Sequence, residues 1–358
     1  MPGSIFTTLR EIWVKLDTDA PHYFSIAENW YVTEAPEMYN IVFLPLFPLF
    51  IRGLNFIFGD SFVSAMVLNT FCSCVAGAVI YELALCDMGR RSARNAVLFA
   101  MAFPAAIFFI APMSEALFVL LCAVSLLAMR REKFWLAAVF GALASFTRSV
   151  GIILLVPFAA EAINYTVRKG KRGENAGVGK TVVKMIACAL IMCLGTFAYL
   201  LINKLIWGEW FKFMQFQREI WYQEPSFFFR TAATQADQLF MTIGAEHDVS
   251  LGLWLPNLLY IFGALAVFVA SARTLRTSYS LYFAVYFAIT CGASWLLSAP
   301  RYLTALVVLP IALAHLCESR DDGIALARAR AKTAVVTVIL SIGQLLYLLM
   351  YVVDYSIY

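Results

Sequence analysis

Long apolar runs dominate the sequence and limit the folds that it can adopt. Ten of them carry few charged residues: 62–85, 96–111, 115–129, 134–147, 150–164, 181–206, 251–271, 279–297, 303–317 and 333–353. A bilayer core of about 30 Å takes about 20 apolar helical residues, and it tolerates no open sheet edge. Hydrophobic residues make up 62% of the chain and charged residues 14%, whereas soluble domains have about 25% charged residues. The sequence therefore predicts an all-α polytopic membrane protein with about 10–11 transmembrane helices.

We interpret residues 1–358 as a single membrane domain, because no internal repeat or low-complexity linker divides the chain. Its parts are a first loop with interfacial helices, a first helical part, a second extracytoplasmic loop and the C-terminal helices, at 1–58, 59–206, 207–250 and 251–358. Aromatic residues interleaved with polar ones in both loops are typical of a membrane–water boundary. The second loop either anchors the protein in that boundary or forms a wall or lid over a lipid-linked substrate.

Lysine and arginine are concentrated in alternate loops. Most of the 27 cations lie at 90–94, 130–133, 168–184, 273–276 and 320–332. The positive-inside rule places these loops in the cytoplasm. The opposite face receives the turns at 112–114, 148–149 and 298–302. The net charge of +4 is modest and does not suggest a nucleic-acid partner.

The polar stretch 17–48 contains the first candidate residues. Asp19 is expected just outside the bilayer, where a carboxylate can take a proton from an attacking hydroxyl. His22 follows three residues later and could share a helical face with Asp19 or orient an acceptor. A solvated loop acid and a helix cap are the alternatives for this pair, and Asp17 competes with Asp19 for the same role.

Three further charged residues stand out on the face opposite the basic loops. Glu115 begins an apolar run, where the helix dipole favours a carboxylate, so that N-terminal capping is an alternative to a role in a site. Arg148 and Arg301 are isolated cations that break the charge pattern. Such cations bind an anion, for which lipid phosphate is the obvious candidate, or extend to the interface.

The segment 41–58 decides on which side Asp19 lies. It is apolar but contains two prolines, an arginine and a glycine. If it lies along the interface as a broken helix, Asp19 faces away from the cytoplasm, and a spanning helix upstream of Met1 is expected. If it spans, Asp19 faces the cytoplasm. We favour the first arrangement because it gathers Asp19, Glu115, Arg148 and Arg301 on one face.

Metal ligation is not predicted. The eight cysteines lie in or beside apolar runs without the paired CxxC spacing of a zinc or redox site. His247 and His315 are isolated from other ligating residues. We expect the cysteines to be small core residues.

Five short motifs occur in a consistent order along the chain. They are DAPHYFSIAENWY at 19–31, FLPLFP at 43–48, FPAAIFF at 103–109 followed by SEALF at 114–118, RSVG at 148–151 and PRYL at 300–303. In this order the sequence resembles the GPI mannosyltransferase II (PIG-V) family and its prokaryotic relatives, within the GT-C glycosyltransferases. Thr18 stands where that family usually has tryptophan.

The resemblance implies a GT-C fold. It also implies an inverting transfer of mannose, or a related hexose, from a polyprenyl-phosphate donor to an acceptor hydroxyl outside the cytoplasm, without an essential metal or cofactor. Asp19 would be the general base, and from charge and position we expect Arg148 and Arg301 to stabilise the leaving phosphate. We expect the remaining substrate-binding residues among the other motif positions: His22, Tyr23, Glu28, Glu115 and Tyr302.

The expected partners are membrane lipid, the lipid-linked donor and a glycan, glycolipid or protein acceptor. The short loops favour a prokaryotic plasma membrane, with the site on the extracytoplasmic face. Two other classes stay open at this point. A transporter or lipid flippase would place ionisable groups near the bilayer midplane, often within internal repeats. A non-catalytic membrane scaffold would tolerate replacement of Asp19 and Arg301.

Overall fold

The protein is helical throughout the part of the chain that the structure describes. A computed structural model describes residues 5–14, 18–172, 175–319, 323–353 and 355–357. These residues form no β-strand; a single isolated β-bridge joins Pro225 and Ala293. The prediction of an all-α fold is confirmed.

The first loop and the first helical part contain nine α-helices. They are α1 (Ile5–Trp13), α2 (Ala20–Asn29), α3 (Leu46–Phe58), α4 (Ser61–Leu85), α5 (Arg90–Ala102), α6 (Glu115–Arg130), α7 (Phe134–Thr147), α8 (Leu155–Lys171) and α9 (Asn175–Trp207). Short 3-10 helices at Glu37–Val42, Pro104–Phe109 and Ser149–Leu154 connect some of them.

The second loop and the C-terminal part contain the remaining helices. They are α10 (Lys212–Trp221), α11 (Phe228–Thr242), α12 (His247–Val249), α13 (Leu255–Ser271), α14 (Thr277–Thr290), α15 (Ala299–Thr304), α16 (Val308–Leu316) and α17 (Ile324–Val352). A turn of π-helix at Ser250–Trp254 joins α12 to α13.

Five helical segments in the described part are long and apolar enough to cross a membrane: Ser61–Leu85, Ser149–Lys171, Gly177–Trp207, His247–Ser271 and Ile324–Val352. All five were predicted from the apolar runs. The chain is therefore a multi-pass integral membrane protein. The other predicted spans correspond to shorter helices.

Three of the predicted continuous helices are wrong in detail. The run 96–111 is broken at Phe103, which is extended (φ −55°, ψ 139°) because the following Pro104 disfavours the helical conformation. The run 279–297 is helical only as far as Thr290. The run 303–317 is divided between α15 and α16.

Helix α3 corresponds to the ambiguous segment 41–58. Its 13 residues extend about 20 Å at 1.5 Å per residue, less than the thickness of a bilayer core. Gly59 ends it in the left-handed conformation (φ 67°), and the side chain of Asp60 caps α4 by accepting a hydrogen bond from the Val63 N–H at 3.0 Å. This length fits the arrangement along the interface; the side of the membrane that Asp19 faces stays a prediction.

The basic loops meet at one end of the bundle. Arg130 pairs with Asp87 at 2.6 Å, and Arg276 pairs with Glu161 at 2.5 Å. Helix α6 begins at Glu115 and ends at Arg130, so its 16 residues separate this end from Glu115 by about 23 Å. The candidate site lies at the opposite end.

Candidate active site

Four charged side chains from distant parts of the sequence meet at the end opposite the basic loops. Arg301 Nη2 lies 2.7 Å from Asp19 Oδ2, and Arg301 Nε lies 3.0 Å from Glu115 Oε1. Arg148 Nη1 contacts the same Glu115 oxygen. We call these four residues the charged cluster. The predicted gathering of Asp19, Glu115, Arg148 and Arg301 is therefore observed.

The members of the charged cluster differ in how far they are exposed. The side chains of Glu115 and Arg301 are 1% and 5% exposed, whereas those of Arg148 and Asp19 are 14% and 23% exposed. Burial by itself lowers the pKa of Arg301, but the carboxylates of Asp19 and Glu115 outweigh this effect and raise it overall. Both arginines therefore stay charged, with Glu115 beneath them and Asp19 at the accessible edge.

Asp19 uses one of its two carboxylate oxygens for a contact within the described part of the chain. It immediately precedes α2 but makes no side-chain capping hydrogen bond, so it does not serve as the helix cap that was the alternative role. Its Oδ2 is held by Arg301, and Oδ1 has no partner among the described residues. Asp17, the competing acid, lies outside the described residues.

Arg148 uses only one of its three guanidinium nitrogens for hydrogen bonds within the described part of the chain. Its Nη1 bonds Glu115 and, at 3.2 Å, the Ser114 hydroxyl. Nε and Nη2 have no partner among the described residues. Glu115 therefore fixes the guanidinium of Arg148 in place, and Nε and Nη2 stay available to donate hydrogen bonds to an anion that enters the site.

Buried amide groups hold the helix that carries Arg301. Asn257 Oδ1 accepts the Ala299 N–H at 3.1 Å, at the first position of α15. Asn257 Nδ2 donates to the Leu296 carbonyl at 2.9 Å, and Gln235 Nε2 donates to that carbonyl at 2.7 Å. Because N–H groups at a helix start lack partners within the helix, these contacts fix the short α15 and thereby Arg301.

The charged cluster opens into a cavity of about 480 Å³ that we call the central cavity. Asp19, Arg148 and Arg301 line it, with Tyr23 and Tyr302 among the aromatic residues of its wall. Glu115 is absent from its lining. A cavity of this size with a few convergent charged groups is typical of a small-molecule or cofactor site.

Two of the predicted binding residues are tyrosines that line the central cavity with the charged cluster. The ring centre of Tyr302 lies 5.1 Å from the guanidinium of Arg148 and 5.3 Å from that of Arg301. The Tyr23 hydroxyl lies 2.9 Å from that of Ser114, and burial raises the pKa of Tyr23. The Tyr302 ring therefore packs against both guanidinium groups, and the hydroxyl of Tyr23, which lines the cavity, stays neutral.

His22 and Glu28 are placed differently. His22 Nδ1 lies 2.8 Å from Asn40 Oδ1, and its ring stacks on Phe43, a cavity-lining residue, with ring centres 4.6 Å apart. The exposed Glu28 accepts a hydrogen bond from Ser61 at 2.6 Å and is not part of the cavity lining. Their substrate-binding roles, like that of Glu115, stay predictions. Of these three residues, Glu115 belongs to the charged cluster, and His22 stacks on Phe43 in the wall of the central cavity. Glu28 lines no part of that cavity and pairs with no member of the cluster among the described residues.

Sequence reasoning missed one part of the cavity wall. Gln217, Trp221 and Gln223, in and after α10, line the central cavity beside the charged cluster. The sequence predicts anchoring or a wall or lid for the second loop as a whole, and it indicates no individual binding residue there. Two glutamines flanking a tryptophan among polar residues were the only signal available.

The described residues include no group of three or more His, Cys, Asp or Glu side chains placed to hold a metal ion. The expectation that no metal is needed stays a prediction.

Comparison with known proteins places these observations in a wider context. No family model matches the chain. GPI α-1,6-mannosyltransferase 2 from Cricetulus griseus is 31% identical over 147 residues, covering 38% of this chain and 29% of that protein. The rat and mouse proteins of the same name are also 31% identical, over 147 and 149 residues. The chain is similar to GPI α-1,6-mannosyltransferase 2. The resemblance predicted from the motifs is confirmed, and the match spans less than a third of each relative.

A solved structure matches nearly the whole chain. ArnT from Cupriavidus metallidurans, in a crystal structure bound to undecaprenyl phosphate, superposes with a TM-score of 0.52 at 13% identity, covering 98% of this chain and 75% of that one. The predicted GT-C-like fold is confirmed.

Proposed function

We propose that the protein is an inverting glycosyltransferase. It moves mannose, or a related hexose, from a polyprenyl-phosphate donor to an acceptor hydroxyl. The donor side of this proposal is supported by the undecaprenyl phosphate bound to ArnT, and the sugar by the mannosyltransferases to which the chain is similar. We further propose that the site faces away from the cytoplasm, in a prokaryotic plasma membrane, because the basic loops are at the other end of the bundle.

The observation that carries the proposal is the charged cluster at the wall of the central cavity. Asp19, Arg148 and Arg301 line one space, and Asp19 Oδ1 and Arg148 Nε and Nη2 have no partner in the described part of the chain. Transfer from a phosphate ester needs these two elements: a base for the attacking hydroxyl and cations for the leaving group.

The reaction is a single displacement. Asp19 Oδ1 takes the proton of the acceptor hydroxyl while its oxygen forms a bond to C1 of the donor sugar. The bond between C1 and the phosphate oxygen breaks, and its electron pair leaves with the polyprenyl phosphate. Attack opposite the leaving group inverts the anomeric carbon. Arg148 stabilises the charge that grows on the phosphate, and Glu115 keeps both arginines in place.

The test is an assay of the purified protein in lipid nanodiscs with polyprenyl-phosphate mannose and candidate acceptors, with the products identified by mass spectrometry. We expect Asp19→Asn to lower the rate of transfer by about 10²–10⁴, the usual contribution of general base catalysis. The variant should insert and fold normally, because Arg301 keeps Glu115 as a partner.

A matched control is Asp237→Asn, the same change at an exposed residue of α11, which should leave transfer unchanged. Full activity of the Asp19 variant would refute the role of this carboxylate. Protein-dependent movement of the intact donor across the bilayer, without any sugar transfer, would instead favour a flippase.

A further inference from the structure

A second cavity adjoins the first one. It has a volume of about 920 Å³, and we call it the side cavity. Both cavities are lined by Ser149, Gln217, Gln223, Ile289 and Ala293. Asp19, Arg148 and Arg301 line only the central cavity. The side cavity is therefore next to the charged cluster but outside it.

The two glutamines at this junction form a pair. Gln217 Nε2 donates to Gln223 Oε1 at 3.0 Å, and the Gln223 backbone N–H donates to the Gln217 carbonyl at 3.1 Å. Gln217 Oε1 and Gln223 Nε2 have no other partner in the described part of the chain. The pair thus presents one amide acceptor and one amide donor, each held in orientation by the other amide.

The turn that makes this pair is attached to the segment before Arg301. Tyr222 ends α10 in the left-handed conformation (φ 53°), which turns Gln223 back toward Gln217. Beyond it, the Ser294 N–H donates to the Glu224 carbonyl at 2.8 Å, and the Ser226 N–H donates to the Gly292 carbonyl at 2.5 Å. We call this pairing of 224–226 with 292–294 the clasp.

Gly292 makes the clasp possible. A Cβ on this residue would lie 2.5 Å from the Ala288 carbonyl oxygen and 2.9 Å from that of Ser226. A larger residue would therefore push the two segments apart. Because the clasp joins the glutamine pair to the chain that leads into α15, the pair is held at a set position relative to the charged cluster.

Trp221 is an aromatic residue in the wall of the central cavity, which the glutamine pair also lines. Its ring lines the central cavity and packs edge-on against Phe43, with ring centres 5.9 Å apart. An aromatic face next to a fixed amide donor and acceptor matches a pyranose ring, which has apolar C–H faces and hydroxyl groups that both donate and accept.

We propose that Gln217, Gln223 and Trp221 form the binding site for the sugar ring of a hexopyranoside acceptor. This inference rests on the proposed function. The charged cluster takes the donor phosphate, whereas the glutamine pair belongs also to the side cavity, through which a second substrate reaches Asp19 without crossing the donor. The acceptor is therefore a glycoside, such as a glycolipid, and not an amino-acid hydroxyl of a protein.

The experiment measures sugar transfer from polyprenyl-phosphate mannose to a panel of octyl hexopyranosides: α-mannoside, α-glucoside, α-galactoside and their β-anomers. Release of free mannose without acceptor is measured in parallel as hydrolysis of the donor. Gln217→Ala and Gln223→Ala are compared with Gln238→Ala, since Gln238 lines neither cavity.

We expect Gln217→Ala and Gln223→Ala each to raise the KM for the best glycoside about fivefold, the equivalent of one neutral hydrogen bond. The increase in KM of the double variant should be smaller than the product of the two single increases, because each amide orients the other. Donor hydrolysis and the KM for the donor should stay at the wild-type values, and the Gln238 variant should match wild type throughout.

An unchanged glycoside KM in both single variants would overturn the inference. An equal loss of donor hydrolysis would also overturn it, since the pair would then bind the donor sugar. Hydrolysis by the wild-type protein with transfer to none of the glycosides would remove the glycoside assignment and leave the donor half of the proposed function standing. Absence of both hydrolysis and transfer in the wild-type protein would refute the proposed function itself.

Discussion

Replacement of Glu115 by glutamine removes one buried negative charge and keeps the size of the side chain. Glu115 pairs with both Arg148 and Arg301, and its side chain is 1% exposed, so solvent does not screen these contacts. Without the carboxylate, Arg301 keeps Asp19 as a partner, but Arg148 has no anion and stands beside a second cation. Removing one partner from a buried ion pair costs about 3–5 kcal/mol, which is the expected loss in the free energy of unfolding.

The assay is equilibrium unfolding by sodium dodecyl sulfate in mixed micelles. All eight cysteines are free, and five of them are buried, so a thiol-reactive dye reports unfolding. The matched control is Glu82→Gln. Glu82 pairs with Arg131 where the two side chains are 47% and 48% exposed, and such a pair contributes about 0–1 kcal/mol.

A double variant separates charge from packing. If the loss arises from unpaired positive charge, Glu115→Gln combined with Arg148→Gln should cost less than the sum of the two single variants. Strict additivity of the two losses, or a loss from Glu115→Gln no larger than that of the Glu82 control, would refute the view that Glu115 holds the arginines in place.

Two other predictions concern the leaving group and the packing of the bundle. Arg148→Gln should lower sugar transfer by about 10²–10³, as loss of one oxyanion-stabilising donor does; Arg148→Lys should recover part of it, because it keeps the charge but not the planar fork. Steady-state kinetics with varied donor checks both, and wild-type rates in the glutamine variant would contradict them. Gly195→Ala should destabilise the protein by about 1–3 kcal/mol, because its Cβ would overlap the Ala142 carbonyl of α7. Gly263→Ala, with nothing within 4 Å of its Cβ, is the control in the same unfolding assay and should show no loss.

The apolar runs and the basic loops made the broad fold predictable. A segment crosses the bilayer core as a helix when it is long and apolar enough, and both properties can be read from the sequence alone. The ends of the short helices were harder to predict. Phe103 was placed inside the predicted helix 96–111 although Pro104 follows it, and Gly292 was placed inside the predicted helix 279–297. Pro104 and Gly292 were the signals of a helix break.

The charged cluster was partly predictable for a different reason. Arg148 and Arg301 stood out because they broke a regular pattern of charge, and Glu115 because it began an apolar run. Which acid pairs with which arginine was not predictable, since Asp19 and Arg301 are far apart in the sequence and meet only in the folded bundle. The glutamine pair was missed because uncharged amides in an aromatic loop look the same whether they face a cavity or the lipid headgroups.

The charged cluster holds two positive and two negative side chains, so it is electrically neutral before any substrate arrives. A proton that moves from the acceptor to Asp19 would cancel one of the negative charges and leave an excess of one positive charge beside the departing phosphate. Because Arg301 is the residue that touches Asp19, it would be released from its partner at the moment when the phosphate gains its second negative charge. Bond formation at one end of the site and bond breaking at the other would thus be linked through a single guanidinium.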